Sequence, residues 1–130
     1  LTLTGGDDLA QVHGDGSQTN GTRLFEVSQG GGLTLTRLKL SGGSAEDGGA
    51  IYSRSANLTL DTCVVEGNVA TDGNGGAVLA DGGTVTIVGG EFLANNATRY
   101  GGAVHADSSL MEVRGGSRFE GNAGVGGGAV

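Results

Sequence analysis

The chain has 130 residues, of which 29 are glycine and none is proline, and its formal net charge is −7. This length suits a single domain with one continuous core. Collagen is excluded because glycine does not occupy every third position, and the 36% of hydrophobic residues argues against disorder. The negative charge argues against nucleic acid and anionic membranes as partners, and no apolar run in this segment is long enough for a membrane span.

Residues 1–21 are predicted to form an irregular N-terminal coil. Leu1-Thr2-Leu3-Thr4 alternates apolar and polar residues, which is typical of a β-strand, whereas 7–21 fits no regular period and is expected to loop out. Within that stretch, His13–Asn20 is similar in composition to a calcium-binding loop. It has no glutamate at the spacing needed for bidentate coordination, so calcium is only a secondary interpretation there.

Residues 22–47 are predicted to form the first regular coil. Leu24-Phe25-Glu26-Val27 is expected to form one strand, and Leu33-Thr34-Leu35 precedes the similar segment Leu58-Thr59-Leu60 by one repeat. Leu38-Lys39-Leu40-Ser41 likewise precedes Val65-Glu66-Gly67-Asn68 by one repeat. This alignment predicts that Leu38 lies next to Val65 and that Ser41 takes the place of Asn68.

The repeat is complete in three further coils, 48–74, 75–100 and 101–126, and 127–130 begins another. Gly-Gly-Ala followed by isoleucine or valine recurs with a period of about 26 residues, within the range typical of solenoid repeats. A segment of alternating apolar and polar residues follows, and then a phrase that ends in asparagine. The alanines of the first phrase are Ala50, Ala77, Ala103 and Ala129; the asparagines of the last are Asn68, Asn95 and Asn122.

These columns predict an all-β fold, a right-handed parallel β-helix of about 4–5 coils, each of about 26–27 residues with three short strands. A βαβ fold is excluded because no segment has the apolar spacing of a sizeable helix. Residues one coil apart should stack, with small alanines in a narrow interior and asparagines in an amide ladder at a corner, where asparagine tolerates the left-handed conformation. The predicted apolar corner stack is Leu38, Val65, Phe92 and Phe119.

The two phrases resemble the repeats of the polymorphic outer-membrane protein family. Gly-Gly-Ala-Ile/Val recurs from Gly48 onward, and Phe-x-x-Asn occurs at Phe92 and Phe119, with Val65 in place of phenylalanine in the earlier copy. The resemblance covers 48–130. It implies a secreted or surface-displayed passenger region, often of an autotransporter, that acts in adhesion. An extracellular or cell-surface location and a host-surface or carbohydrate ligand are therefore expected.

No catalytic constellation is evident, and the chain is predicted not to be an enzyme. A polysaccharide lyase or hydrolase is the alternative, but its carboxylates should cluster in register. Asp81 and Asp107 share a column and are interpreted as solvated turn residues, with a calcium pair as the alternative; no other cofactor is expected. His13 and His105 lie in different coils and have no partner pattern.

Three sequons for N-glycosylation begin at Asn20, Asn57 and Asn96, and they matter if the source is eukaryotic and secretory. Ice binding by a threonine face is a lesser alternative, because Glu112 ends the column of Thr34, Thr59 and Thr86.

The single Cys63 has no partner for an internal disulfide and is expected to be a small buried hydrophobe, with a reactive or intermolecular thiol as the alternative. The chain stops as a new Gly-Gly-Ala-Val strand begins. It is therefore expected to be a fragment of a longer solenoid, covered by neighbouring coils of the same protein, or to self-associate end to end.

Overall fold

A computed structural model describes residues 1–6, 9–14 and 22–130. Within these residues every regular element is a β-strand, and none is a helix of the length and hydropathy that a membrane crossing requires. The strands are β1 (Thr2–Thr4), β2 (Ala10–His13), β3 (Phe25–Val27), β4 (Gly32–Thr36), β5 (Leu38–Ser41), β6 (Ser44–Ala45), β7 (Ile51–Asp61), β8 (Val64–Glu66), β9 (Val69–Ala70), β10 (Val78–Val88), β11 (Glu91–Leu93), β12 (Asn96–Ala97), β13 (Val104–Arg114) and β14 (Arg118–Glu120).

The strands form three parallel sheets that run along the molecule. The first sheet contains β1, β3, β4, β7, β10 and β13; the second contains β2, β5, β8, β11 and β14; the third contains β6, β9 and β12. Every strand pairs with its equivalent in the adjacent coil. This arrangement confirms the predicted all-β parallel solenoid, with about 4 turns.

The strand register agrees with the repeat seen in the sequence. Val78 pairs with Ile51 on one side and with Val104 on the other, so equivalent residues of adjacent coils lie side by side. Leu33 pairs with Leu58 in the same way, which extends the register upstream of the Gly-Gly-Ala phrases. The predicted looped-out stretch 7–21 was wrong in its described part, because Ala10–His13 forms β2 and pairs in register with β5. Residues 7–8 and 15–21 lie outside the described residues.

The strand after each Gly-Gly-Ala phrase is longer than the sequence predicted. Two short strands separated by a corner were expected, but β7, β10 and β13 are continuous and 11 residues long. Each contains one bend near its middle, where Ser55, Gly82 and Ser108 have positive φ. Each long strand therefore joins the Gly-Gly-Ala segment to the alternating segment within one sheet.

Residues with positive φ make the bends of every coil. Such a conformation disfavours L-residues by about 1–2 kcal/mol, a penalty that glycine avoids. The predicted role of asparagine here was wrong, because Gly67 rather than Asn68 has positive φ. The four left-handed columns are Gly30, Ser55, Gly82 and Ser108; Arg37, Thr62, Gly89 and Gly115; Gly42, Gly67, Ala94 and Gly121; and Gly48, Gly75, Gly101 and Gly127.

Ala94 is the non-glycine residue in the third left-handed column, with φ of 52°. We expect Ala94→Gly to raise the free energy of unfolding by about 1 kcal/mol, because it removes the clash of the Cβ with its own backbone. Urea unfolding followed by circular dichroism measures the change. Ala97→Gly, in a buried strand position without positive φ, should instead destabilise the chain. A lower unfolding midpoint for Ala94→Gly would contradict the expectation.

The second glycine of each Gly-Gly-Ala phrase lies where backbones come into contact across the interior. A Cβ built on Gly76 would overlap the carbonyl oxygen of Gly102 and lie 2.6 Å from the backbone nitrogen of Asn96. Gly76 does not have positive φ, so glycine is needed here for space and not for its backbone conformation. The interior at this point has no room for a side chain.

Candidate functional site

The predicted alanine column lies next to these glycines and follows the long axis of the solenoid. Ala50, Ala77 and Ala103 are fully buried. Backbone hydrogen bonds connect them in order, from Ala50 N to Ala77 O and from Ala77 N to Ala103 O, both at 2.9 Å. Ala103 N in turn donates to Ala129 O at 3.1 Å. The three buried alanines are part of the scaffold and present no side chain to a ligand, whereas Ala129 is only partly buried.

The three predicted ladder asparagines bond to one another across adjacent coils. Asn68 Nδ2 donates to Asn95 Oδ1, and Asn95 Nδ2 donates to Asn122 Oδ1, both at 3.0 Å. Each accepting Oδ1 also receives the backbone N–H of the preceding asparagine at 3.0 Å. Asn95 Nδ2 reaches the carbonyl oxygen of Val65 at 2.8 Å. Asn68 and Asn95 are fully buried, so these amides hold coils together and are not exposed to a ligand.

The apolar corner stack differs from the prediction at one position. Phe92 and Phe119 stack with their ring centroids 4.9 Å apart, and Val65 pairs with Phe92. The placement of Leu38 was wrong, because Leu40 pairs with Val65. Leu38 is nevertheless buried, since inward-facing positions alternate along a strand and a shift of two residues keeps the same face.

The same shift moves Ser41 away from its predicted place beside Asn68. Ser41 pairs with Glu66, and the backbone N–H of Gly43 instead donates to Asn68 Oδ1 at 2.9 Å. The serine side chain therefore lies on the outer side of the second sheet, where its neighbours leave it only 9% exposed.

Two of the three sequon asparagines lie on the exposed surface. Asn57 and Asn96 are exposed, and Asn57 Oδ1 accepts a hydrogen bond from Thr84 Oγ1 at 2.8 Å. Asn20 lies outside the described residues. Glycosylation stays a prediction for all three.

Asp81 and Asp107 are paired neighbours on adjacent coils, and both are exposed. Calcium takes roughly six to eight oxygen ligands, more than two carboxylates provide. In the ranges 1–6, 9–14 and 22–130, no three His, Cys, Asp or Glu residues form a metal-binding group. His105 stacks on Tyr100, with a 6.0 Å distance between the ring centroids, and is far along the chain from His13 in β2.

An open groove of about 560 Å³ lies along the outer side of the second sheet. We call it the corner groove, and its lining residues are Gln11, His13, Lys39, Ser41, Gly42, Glu66, Gly67, Leu93 and Ala94. Gly42, Gly67 and Ala94 belong to one left-handed column, and none has a side chain longer than a methyl group. This run of small residues leaves the groove open across successive coils.

Polar side chains from adjacent coils pair inside the corner groove. His13 Nδ1 lies 2.8 Å from Ser41 Oγ, and Lys39 Nζ lies 2.6 Å from Glu66 Oε1. The lysine and glutamate side chains stay 30% and 37% exposed, so both can still contact a ligand. Because their charges cancel, the groove offers hydrogen-bond donors and acceptors without a strong field of either sign.

The pairing of His13 with Ser41 also resembles the general base and nucleophile of a site for covalent catalysis. Such catalysis needs a third group that orients the base, and an accessible nucleophile. No carboxylate of the described residues bonds to His13, and Ser41 is only 9% exposed. The geometry therefore suits ligand binding better than covalent catalysis.

Sequence reasoning did not single out the groove residues Lys39, Ser41 and Glu66. One signal was present, because Lys39 and Glu66 have opposite charges, lie about one coil apart and occupy outward positions of alternating strands. The open space itself was not evident, since it depends on which corner of the coil contains the small residues.

Cys63 is buried in the interior, where its Sγ lies 3.2 Å from the carbonyl oxygen of Leu35. Burial raises the pKa of the Cys63 thiol, because desolvation disfavours the thiolate. The thiolate is the reactive form of cysteine. Burial limits access to the Cys63 thiol and the raised pKa keeps it protonated, so this residue is inert in the folded chain.

We expect Cys63 to react with a colorimetric disulfide reagent at least about 100-fold more slowly in the native chain than in the urea-unfolded chain, because the thiol must first become exposed and ionised. Stopped-flow absorbance at neutral pH measures both rates. Comparable rates in the two states would contradict the buried position.

Comparison with known proteins found no matching family model, no matching curated protein and no matching solved structure. The resemblance to the polymorphic outer-membrane protein family therefore rests on the two sequence phrases alone. The parallel solenoid rests on the strand pairing.

Proposed function

We propose that the chain is a structural and adhesive segment of an extracellular or cell-surface protein. The observation that supports this best is the filled interior, where stacked apolar side chains and the Asn68–Asn95–Asn122 ladder occupy the inside of the coils. Binding is then left to the outer surface, and stacking in register makes an extended, stiff support for it. The net charge of −7 and the phrases similar to polymorphic outer-membrane protein repeats agree with an extracellular setting.

The location is tested with antibodies raised against the folded chain. They are expected to label intact cells of the source organism, or its culture medium, without permeabilisation. Labelling that requires permeabilised cells would overturn the proposed location.

Adhesion is tested with beads coated with the chain. Beads with the folded chain should be retained on cultured cells or on polysaccharide-coated glass several-fold more than beads with the urea-unfolded chain. The unfolded chain has the same composition and charge, so it controls for non-specific attraction. Equal retention of the two would overturn an adhesive role of the folded surface.

We also propose that the rung formed by β13 is covered by a further rung, from a second copy or from neighbouring coils of a longer chain. Among the described strands β13 pairs with β10 alone, and Leu110 and Val113 on it are 73% and 43% exposed. Unpaired strand edges favour pairing with another strand. Light scattering should show an average molecular mass that rises with protein concentration. At the same concentration, Val113→Lys should have a lower mass than the unsubstituted chain. A monomeric mass at all concentrations would overturn self-association.

A carbohydrate-active domain is the second candidate, and the corner groove is the observation that favours it. The groove brings a carboxylate, an amine and an imidazole together. Turnover of plant or algal polysaccharides, with or without calcium, would establish an enzyme if Glu66→Gln abolished it. Absence of turnover in a chain that binds the same polysaccharides would exclude catalysis.

A further inference from the structure

We propose that the corner groove binds a neutral, linear oligosaccharide that lies along the solenoid axis. The inference rests on the adhesive function proposed above and specifies its ligand class. Its first support is size, because about 560 Å³ falls within the range of about 300–1,000 Å³ that is usual for ligand sites.

The shape of the groove favours a ligand that is extended along the axis. The outward positions of the second sheet place His13, Ser41, Glu66 and Leu93 on successive coils. Parallel strands lie about 4.8 Å apart, so these four residues span about 14 Å along the axis. A linear chain lying in this direction meets one lining side chain on every coil.

The chemistry of the lining favours hydroxyl groups over ionic groups. Lys39 and Glu66 form an ion pair, so neither sign dominates, which disfavours phosphates and polyanions. The carboxylate of Glu66 can accept from sugar hydroxyls while Lys39 donates to them, and hydrogen bonds to charged groups are stronger than neutral ones. Leu93 is half-buried at one end of the groove and offers an apolar surface to the C–H groups of a sugar ring.

The open space beside Gly67 allows a direct test by filling the groove. A Cβ built on Gly67 meets no atom within 4 Å, and the residue has φ of 62°. Asparagine tolerates this conformation better than most residues, so Gly67→Asn should fold and place its side chain in the groove. Gly116 is a matched control, because its φ is 73°, its Cβ would also meet no atom within 4 Å, and it does not line the groove.

The experiment is isothermal titration of the chain with linear hexasaccharides of glucose, mannose and xylose. At least one is expected to bind, and Gly67→Asn should weaken that binding at least about tenfold, whereas Gly116→Asn should leave it unchanged. Glu66→Gln should weaken binding about tenfold, because a charge-assisted hydrogen bond is lost. Glu91→Gln, an exposed carboxylate of the next coil that does not line the groove, should have no effect. Circular dichroism verifies that the variants are folded.

A folded chain that binds none of the three hexasaccharides would overturn the inference. Equal weakening by Gly67→Asn and Gly116→Asn would also overturn it, because the ligand would then lie elsewhere. Preference for a hexamer of uronic acid would contradict the neutral ligand. Bead adhesion without sugar binding would remove this inference and leave the proposed function intact. Sugar binding without bead adhesion would leave this inference intact and overturn the adhesive function.

Discussion

Asn95→Ala is expected to lower the free energy of unfolding by about 3–5 kcal/mol, because it interrupts the asparagine ladder at its middle position. Asn95 Oδ1 accepts two hydrogen bonds from Asn68, and its Nδ2 donates to Val65 O and Asn122 Oδ1. After the substitution the buried backbone N–H of Asn68 has no acceptor from the ladder. A buried group that loses its partner is destabilised by about 1–3 kcal/mol. Urea unfolding measured by circular dichroism gives the change.

Asn96→Ala is the matched control for this experiment. Asn96 is the next residue in the chain and has the same side chain, but it is exposed. Its removal should change the free energy of unfolding by less than about 0.5 kcal/mol. If Asn95→Ala and Asn96→Ala unfold at the same urea concentration, the ladder contributes nothing to stability.

Gly76→Ala is expected to destabilise the chain by at least about 3 kcal/mol, through one added methyl group. The new Cβ would overlap Gly102 O and lie 2.6 Å from the nitrogen and the carbonyl carbon of Asn96. All three atoms belong to the backbone, so no side-chain rotation relieves the overlap. The two parts of the coil would have to separate, which also strains the pairing with the adjacent coils. The urea midpoint measures the loss, and failure to fold is its upper limit.

Gly67→Ala separates this steric effect from the effect of backbone conformation. Gly67 has φ of 62° and open space around its Cβ position. Gly76 does not have positive φ, and backbone atoms block its Cβ position. The alanine at Gly67 should therefore lower stability by only about 1–2 kcal/mol, the penalty of the left-handed conformation alone. A larger loss at Gly67 than at Gly76 would show that the interior beside Gly76 has room for a methyl group.

The sequence repeat predicted the solenoid because equivalent residues of successive coils lie in the same environment, so similar side chains recur along the chain. Gly-Gly-Ala recurs because the first glycine turns the chain and the second avoids the backbone of the next coil, as at Gly75 and Gly76. The misplacement of Leu38 has a definite cause. Apolar residues alternate with a period of two, so alignments that differ by two residues present the same inward face. Only the strand pairing distinguishes Leu40 from Leu38 as the neighbour of Val65.

The corner groove was harder to predict than the interior, for a physical reason. Interior positions must hold similar side chains on every coil, which makes them visible as columns. Outer positions have no such restriction, and His13, Ser41 and Glu66 share a column without sharing any chemical type. Their proximity follows from the coil length, and the open space beside them follows from the small residues Gly67 and Ala94.

The pairing of each strand with only its equivalents in adjacent coils has an evolutionary consequence. Ile51 and Val78 are equivalent points of neighbouring coils, so excision or duplication of the segment 51–77 would rejoin the chain with every remaining column aligned. An in-frame change that is not a whole coil would displace the asparagines from their partners. Recombination between coding repeats can therefore lengthen or shorten such a protein one rung at a time, while outward residues diversify without endangering the fold.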